Sequence, residues 1–162
     1  MQKSRLCEQK KRPDNPKVVL DTNILVSAFL SPKGHAAQIV SLAWQGKLQA
    51  CYNQTILDEY EEVLSRSKFK FKIPREDIQE ITETIKEDGL FVDVQPSSFP
   101  MLDETDRVFY DVGRAAGALL ITGNKKHYPD EPFIVTPSDF VNAVVKPAET
   151  PSTGGVRRRL LL

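Results

Sequence analysis

Two rhythms of apolar residues alternate along the chain. Short unbroken runs, Val18-Val19-Leu20 and Ala118-Leu119-Leu120-Ile121-Thr122, have the β-branched, aliphatic character of strands buried on both faces of a sheet. Between them apolar residues return at helical spacing. Ile24, Leu25, Ala28 and Phe29 mark a first helix, which Ser31-Pro32-Lys33-Gly34 breaks. His35 to Lys47 predicts a second, with Ala36, Ile39, Val40, Ala43 and Trp44 on one face, and Gln49 to Tyr52 a strand. Asn53 suits the N-cap of a helix reaching about Arg66, with the stripe Ile56, Leu57, Tyr60, Val63 and Leu64. Pro74 at N1 opens a helix that runs to Asp88 and stops at Gly89, burying Ile78, Ile81 and Ile85.

The second half repeats the alternation. Leu90 to Val94 predicts a strand, Pro96 to Met101 a loop, and Asp103 to Ala116 a helix with Val108, Phe109, Val112, Ala115 and Ala116 facing inward. Gly117 is its C′ stop. Phe133 to Val135 is a last strand and Ser138 to Val145 a last helix. Strands alternating with helices imply βαβ units, a parallel sheet and right-handed crossovers. Trp44 and Tyr60 read most simply as core.

Composition changes this picture in three ways. The 162 residues suit one domain, residues 17–145, flanked by a flexible basic tail at 1–16 and a Pro-, Thr-, Ser- and Gly-rich segment from 146 to 162 that reads as disordered. The net charge of zero hides 13 basic against 19 acidic residues over positions 17–145, which is not the footprint of a protein holding nucleic acid by bulk charge. No apolar run approaches the ~20 residues of a membrane span, and Met1 to Asn15 has no apolar core of a secretory signal. Cys7 and Cys51 form neither a disulfide framework nor a zinc spacing, and both read as reduced thiols of a cytoplasmic protein.

The candidate chemistry is a set of carboxylates at strand and helix ends. Asp21 closes the first strand, at the edge where open α/β sheets hold ligands, though it equally suits the N-cap of the next helix. Asn124 follows the strand 118–122, Asp106 lies in the first turns of the helix feeding that strand, and Glu59 sits in the first half of its own helix. The neighbours Asp58, Glu61 and Glu62 read as solvated surface. Two unit charges 4 Å apart repel by about 4 kcal/mol at an effective dielectric of 20, so three gathered carboxylates either protonate or recruit a cation. Oxygen ligands select Mg²⁺ or Mn²⁺ over zinc. Such an ion orients a water, lowers its pKa and stabilises in-line displacement at a phosphodiester.

Four segments in order, Val-Leu-Asp21-Thr22-Asn23-Ile-Leu-Val-Ser-Ala, Ile-Leu-Asp-Glu59-Tyr, Asp103-x-x-Asp106-x-x-Phe-Tyr and Leu-Ile-Thr122-Gly123-Asn124-Lys, resemble the PIN domain. More narrowly they are similar to bacterial PIN proteins that act as toxins of toxin–antitoxin modules, relatives of VapC. The resemblance covers residues 17–145. It implies an α/β fold of three layers, α/β/α, with a central parallel sheet of four to five strands. It assigns catalysis to Asp21, Glu59 and Asp106, and metal ligation to Asp21, Asp106 and Asn124. Many members carry a fourth aspartate where this chain has Asn124, which removes one charge and puts a second tightly bound metal in doubt. Thr22, Asn23, Thr122 and Asp103 would orient the carboxylates, with Asp103 equally suited to capping its helix. The implied activity is metal-dependent cleavage of RNA, with an antitoxin partner and a homodimer.

Other readings compete at several positions. Lys125, Lys126 and His127 suit RNA phosphates but more simply form a solvated loop. Arg66, Lys68, Lys70 and Lys72 interleave with Phe69 and Phe71 as a nucleic-acid ledge would, or as a connection burying the two rings. A PIN-fold binding module with little or no catalysis is the alternative to the ribonuclease. A phosphatase or phospho-acceptor of haloacid-dehalogenase type would need an aspartate where Asn23 stands.

Overall fold

The computed structural model describes residues 15–66 and 73–145. Five strands, β1 (Lys17–Leu20), β2 (Gln49–Tyr52), β3 (Leu90–Phe91), β4 (Leu119–Ile121) and β5 (Ile134–Val135), form one sheet in the order β3-β2-β1-β4-β5. Every pairing is parallel. In register, Val18 faces Ala50 on one side and Leu119 on the other, and Leu20 lies opposite Ile121. Burial on both faces explains the run Val18-Val19-Leu20, whose side chains are all enclosed. Helices cover the sheet in the expected three-layer arrangement: α1 (Thr22–Leu30), α2 (His35–Trp44), α3 (Gln54–Leu64), α4 (Arg75–Asp88), α5 (Arg107–Ala116) and α6 (Pro137–Phe140), the last continued by a π-helical turn at Val141–Val145.

The strand order decides where a site can lie. From β1 the chain moves outward through β2 to β3, then α5 carries it back across β1, β2 and β4 to the other half of the sheet. The carboxyl ends of β1 and β4 are therefore the topological switch point, where an α/β sheet opens a crevice.

Local chemistry accounts for most element ends. The Asn53 side chain accepts the Ile56 N–H (3.0 Å) and caps α3, and Gly117 ends α5 at φ 65°, a left-handed conformation that glycine adopts without strain. Several expectations need correction. α2 stops at Trp44, not Lys47, because Gly46 takes φ 79° and the Lys47 N–H turns back to the Leu42 carbonyl. Trp44 consequently lies 39% exposed at the helix end, whereas Tyr60 is core. Pro74 is the N-cap of α4, one residue outside the helix, and β3 spans two residues rather than five, as a short edge strand. In the segment 103–116, Asp103 caps a 3₁₀ turn, Glu104–Asp106, before α5 begins, and Ala115 faces out while Tyr110 and Asp111 are buried.

One buried contact joins the second helical pair to the central strand. The Tyr60 hydroxyl donates to the Leu20 carbonyl at 2.6 Å, fixing α3 against the last residue of β1. Tyr60→Phe keeps the ring in the core and removes the only donor the tyrosine supplies there. The expected loss is about 1–2 kcal/mol in urea unfolding. An unchanged midpoint would show that the Leu20 carbonyl needs no such partner.

Candidate active site

The switch point is built from the residues after β1 and β4. Asp21 continues β1 by donating its N–H to the Ile121 carbonyl (3.0 Å), then serves as N-cap of α1, its side chain accepting from Asn23 N at 3.5 Å. The capping role and the site role thus fall on one residue. Its carboxylate is buried, and Oδ2 accepts hydroxyl protons from Thr122 (2.8 Å) and Tyr128 (2.9 Å). Asn23 reaches across the same gap, its Oδ1 accepting the Gly123 N–H at 3.0 Å, so the α1 start and the β4 end are laced together.

Glu59 arrives from α3. Its half-buried carboxylate accepts from the Thr22 hydroxyl at 3.3 Å, so Thr22 orients Glu59 rather than Asp21. Asp106 arrives from the 3₁₀ turn before α5, where Arg107 anchors the backbone by donating to Ser97 O (2.8 Å) and Phe99 O (2.7 Å). The Asp106 side chain is 14% exposed, and His127 Nδ1 lies 3.9 Å from its Oδ2.

Electrostatics ties the three carboxylates to one neighbourhood. Burial, then the charges of Asp21, Asp103 and Glu59, push Asp106 up to about 7 against a hydrogen bond from the Tyr128 side chain, which thus serves Asp106 as well as Asp21. Burial raises Glu59 as well, with Asp21 and Glu62 adding to it and the Thr22 hydroxyl and Arg66 opposing. Asp103 behaves differently. It is exposed, and the Thr105 hydroxyl and N–H hold its carboxyl below the usual range, so capping is its observed work. Among the described residues no three Asp, Glu, His or Cys side chains are drawn together as a ready-made metal site. Asp21 and Asp106 both neighbour the Tyr128 hydroxyl, and Thr22 beside Asp21 holds Glu59, so the three occupy one neighbourhood without forming a cage. All their donors are oxygens, and their mutual repulsion is what a hard divalent cation relieves. The residue types present therefore fit a hard divalent cation.

The remaining residues fall outside this set. Asn124 stands exposed at the head of the turn Lys125–His127, its N–H donating to Thr122 Oγ1 at 3.0 Å. Lys125 and Lys126 are exposed on that turn, and Arg66 is exposed and paired with Glu62 at 3.1 Å. Lys68, Phe69, Lys70, Phe71 and Lys72, and the two terminal tails beyond Asn15 and Val145, lie outside the described residues. Sequence reasoning missed Tyr128. It follows Lys-Lys-His in a stretch with no periodicity, and nothing there signals that its side chain turns inward.

Fold and crevice together define an α/β protein of the doubly wound class with an acidic switch point. Residues 17–126 match the family model described as the PIN domain, and the chain belongs to that family. It is similar to an uncharacterized protein of Methanocaldococcus jannaschii, 28% identical over 110 residues that span 67% of this chain and 71% of that one. No solved structure matches it significantly. PIN domains are typically nucleases, and their nucleases generally use divalent metals. No helix among the described residues is long and apolar enough to cross a membrane.

Proposed function

We propose that the protein is a divalent-metal-dependent ribonuclease and the toxin of a toxin–antitoxin pair. What supports this reading is that Asp21, Glu59 and Asp106, from three separate elements, lie near enough for the charge of Asp21 to disfavour that of Glu59 and of Asp106. Asp21 and Asp106 are the natural ligands of Mg²⁺ or Mn²⁺, with Asn124 offering an amide oxygen at the rim. The ion, when bound, supplies positive charge for a phosphodiester and activates water. Glu59, held by Thr22, is placed to accept a proton from the attacking water, which its raised pKa favours. Lys125, Lys126 and Arg66 would meet the phosphates of single-stranded or structured RNA. The antitoxin would then cover the crevice with a basic side chain among the carboxylates, in the cytoplasm, and a homodimer is the proposed assembly.

The test is incubation with RNA in Mg²⁺ or Mn²⁺ and in EDTA, with Asp21→Asn alongside. Cleavage that needs the metal and is lost in the variant supports the reading. Equal cleavage by both proteins overturns it. The exposed Asn124, in place of a fourth acid, favours the second reading, a PIN-fold RNA- or protein-binding module without catalysis. In that case the protein binds Mn²⁺ no better than Asp21→Asn does.

A further inference from the structure

Tyr128 lies two residues beyond the segment that the family model matches, and its side chain is only 6% exposed. Its hydroxyl is within the acidic crevice, donating to Asp21 Oδ2 at 2.9 Å. We propose that Tyr128 is a positioning residue of the divalent-metal site, fixing which oxygen Asp21 presents and pinning the Asn124-bearing turn over it; this rests on the ribonuclease reading above.

The argument begins with the two oxygens of Asp21. Oδ2 accepts two hydroxyl protons, from Thr122 at 2.8 Å and from Tyr128, which uses its lone pairs in the plane of the carboxylate. Oδ1 accepts one long contact from Asn23 N, 3.5 Å, and keeps a lone pair for a cation. Thr122 by itself would hold Oδ2 with a single bond, about which the carboxylate can still turn. A second donor, reaching the same oxygen from another part of the chain, removes that freedom. Outer donors of this kind fix the orientation of the carboxylates that hold a metal.

The same hydroxyl closes a clasp. Thr122 and Tyr128 are six positions apart and both end on one oxygen atom. Between them Asn124 N donates to Thr122 Oγ1 (3.0 Å), His127 N to Asn124 O (2.9 Å) and Tyr128 N to Lys125 O (3.1 Å). The turn is thus hydrogen-bonded within itself and tied to Asp21 at both ends. Asn124, Lys125, Lys126 and His127 are thereby held at the mouth of the crevice, with His127 Nδ1 3.9 Å from Asp106.

Tyr128→Phe keeps the buried ring and deletes the hydroxyl. Mn²⁺ binding to the metal-free protein is read by the electron paramagnetic resonance signal of free Mn²⁺, with thermal melting in EDTA beside it. The expected result is about tenfold weaker Mn²⁺ binding with a melting temperature close to that of the wild type, and no binding in Asp21→Asn. A merely structural tyrosine would lower the melting temperature and leave Mn²⁺ affinity unchanged. That outcome, with Asp21→Asn still inactive in binding, overturns the role of Tyr128 and leaves the ribonuclease reading standing. Wild-type binding no tighter than that of Asp21→Asn overturns the metal site itself, and the proposal with it.

Discussion

Asp106→Asn is expected to raise the melting temperature of the metal-free protein at pH 8 and, on the proposed ribonuclease reading, to reduce RNA cleavage by about a hundredfold or more. The two effects have one origin. Burial and the charges of Asp21, Asp103 and Glu59 push the Asp106 carboxyl up to about 7, against an ordinary value of 3.8. Between those values the folded state binds a proton that the unfolded chain releases. Stability therefore falls as pH rises from about 4 to 7, and above 7 the whole penalty is present. Screened by water on the open side of the crevice, that penalty is about 1–2 kcal/mol. Asparagine removes it, a gain of about 3–6 °C for a domain of this size. At pH 5 the wild-type carboxyl is largely protonated in the folded state and only part of the penalty is present, so the gap between the proteins narrows. Adding Mg²⁺ at pH 8 should stabilise the wild type by mass action and leave Asp106→Asn nearly unmoved. Melting curves at pH 5 and pH 8, each with EDTA and with Mg²⁺, check every part. A variant that melts no higher than the wild type at pH 8 in EDTA would show that Asp106 carries no strain.

That coupling of instability to chemistry follows from topology. A carboxylate at the end of a central strand costs little when it caps the next helix, as Asp21 does through Asn23 N. The cost arises because β4 returns beside β1 and α5 starts at the same edge, which brings Asp106 within the field of Asp21. Function-bearing groups are commonly held at such a cost to stability.

How much of this was legible beforehand depends on the range of the interaction. Val18-Val19-Leu20 and the stripe Ile56, Leu57, Tyr60, Val63 and Leu64 are local patterns, and the structure buries all of them but Val63, which is half-buried. The same holds for Asn53 as a cap and Gly117 as a stop, because turn and cap chemistry acts over a few residues. Asp58, Glu61 and Glu62 are exposed while Glu59 is half-buried, as the helical geometry suggested. What failed was less local. Trp44 belongs by spacing to the buried face of α2, but Gly46 ends that helix early and leaves the ring at the rim. Tyr128 was invisible for a stronger reason: its partner Asp21 is 107 positions away, and no local rule connects them. The link from Thr22 to Glu59 is likewise a product of α3 docking on β1 through Tyr60.

Gly89→Ala is expected to destabilise the protein by about 3 kcal/mol. Gly89 looks from the sequence like an ordinary helix stop, and its φ of −86° is open to any residue. Space, not conformation, demands glycine. A Cβ at this position would stand 2.4 Å from the Ala50 carbonyl oxygen, 2.5 Å from that of Ile85 and 3.2 Å from the Tyr52 ring. Two of these are backbone atoms that no rotamer change can move aside. The Ala50 carbonyl belongs to β2, whose Ala50 pairs with Val18 of β1, so relief has to come from shifting α4 and β3 away from the sheet. Separating them also opens the seat of Tyr52, whose hydroxyl donates to the Lys86 carbonyl at 3.3 Å. The expected fall in melting temperature is roughly 10 °C, at the level of about 3 °C per kcal/mol for this size. Since β3 lies at the far edge from β4, Mn²⁺ affinity at low temperature should be unchanged in the same variant. A melting temperature within 2 °C of the wild type would mean that the edge strand yields at little cost.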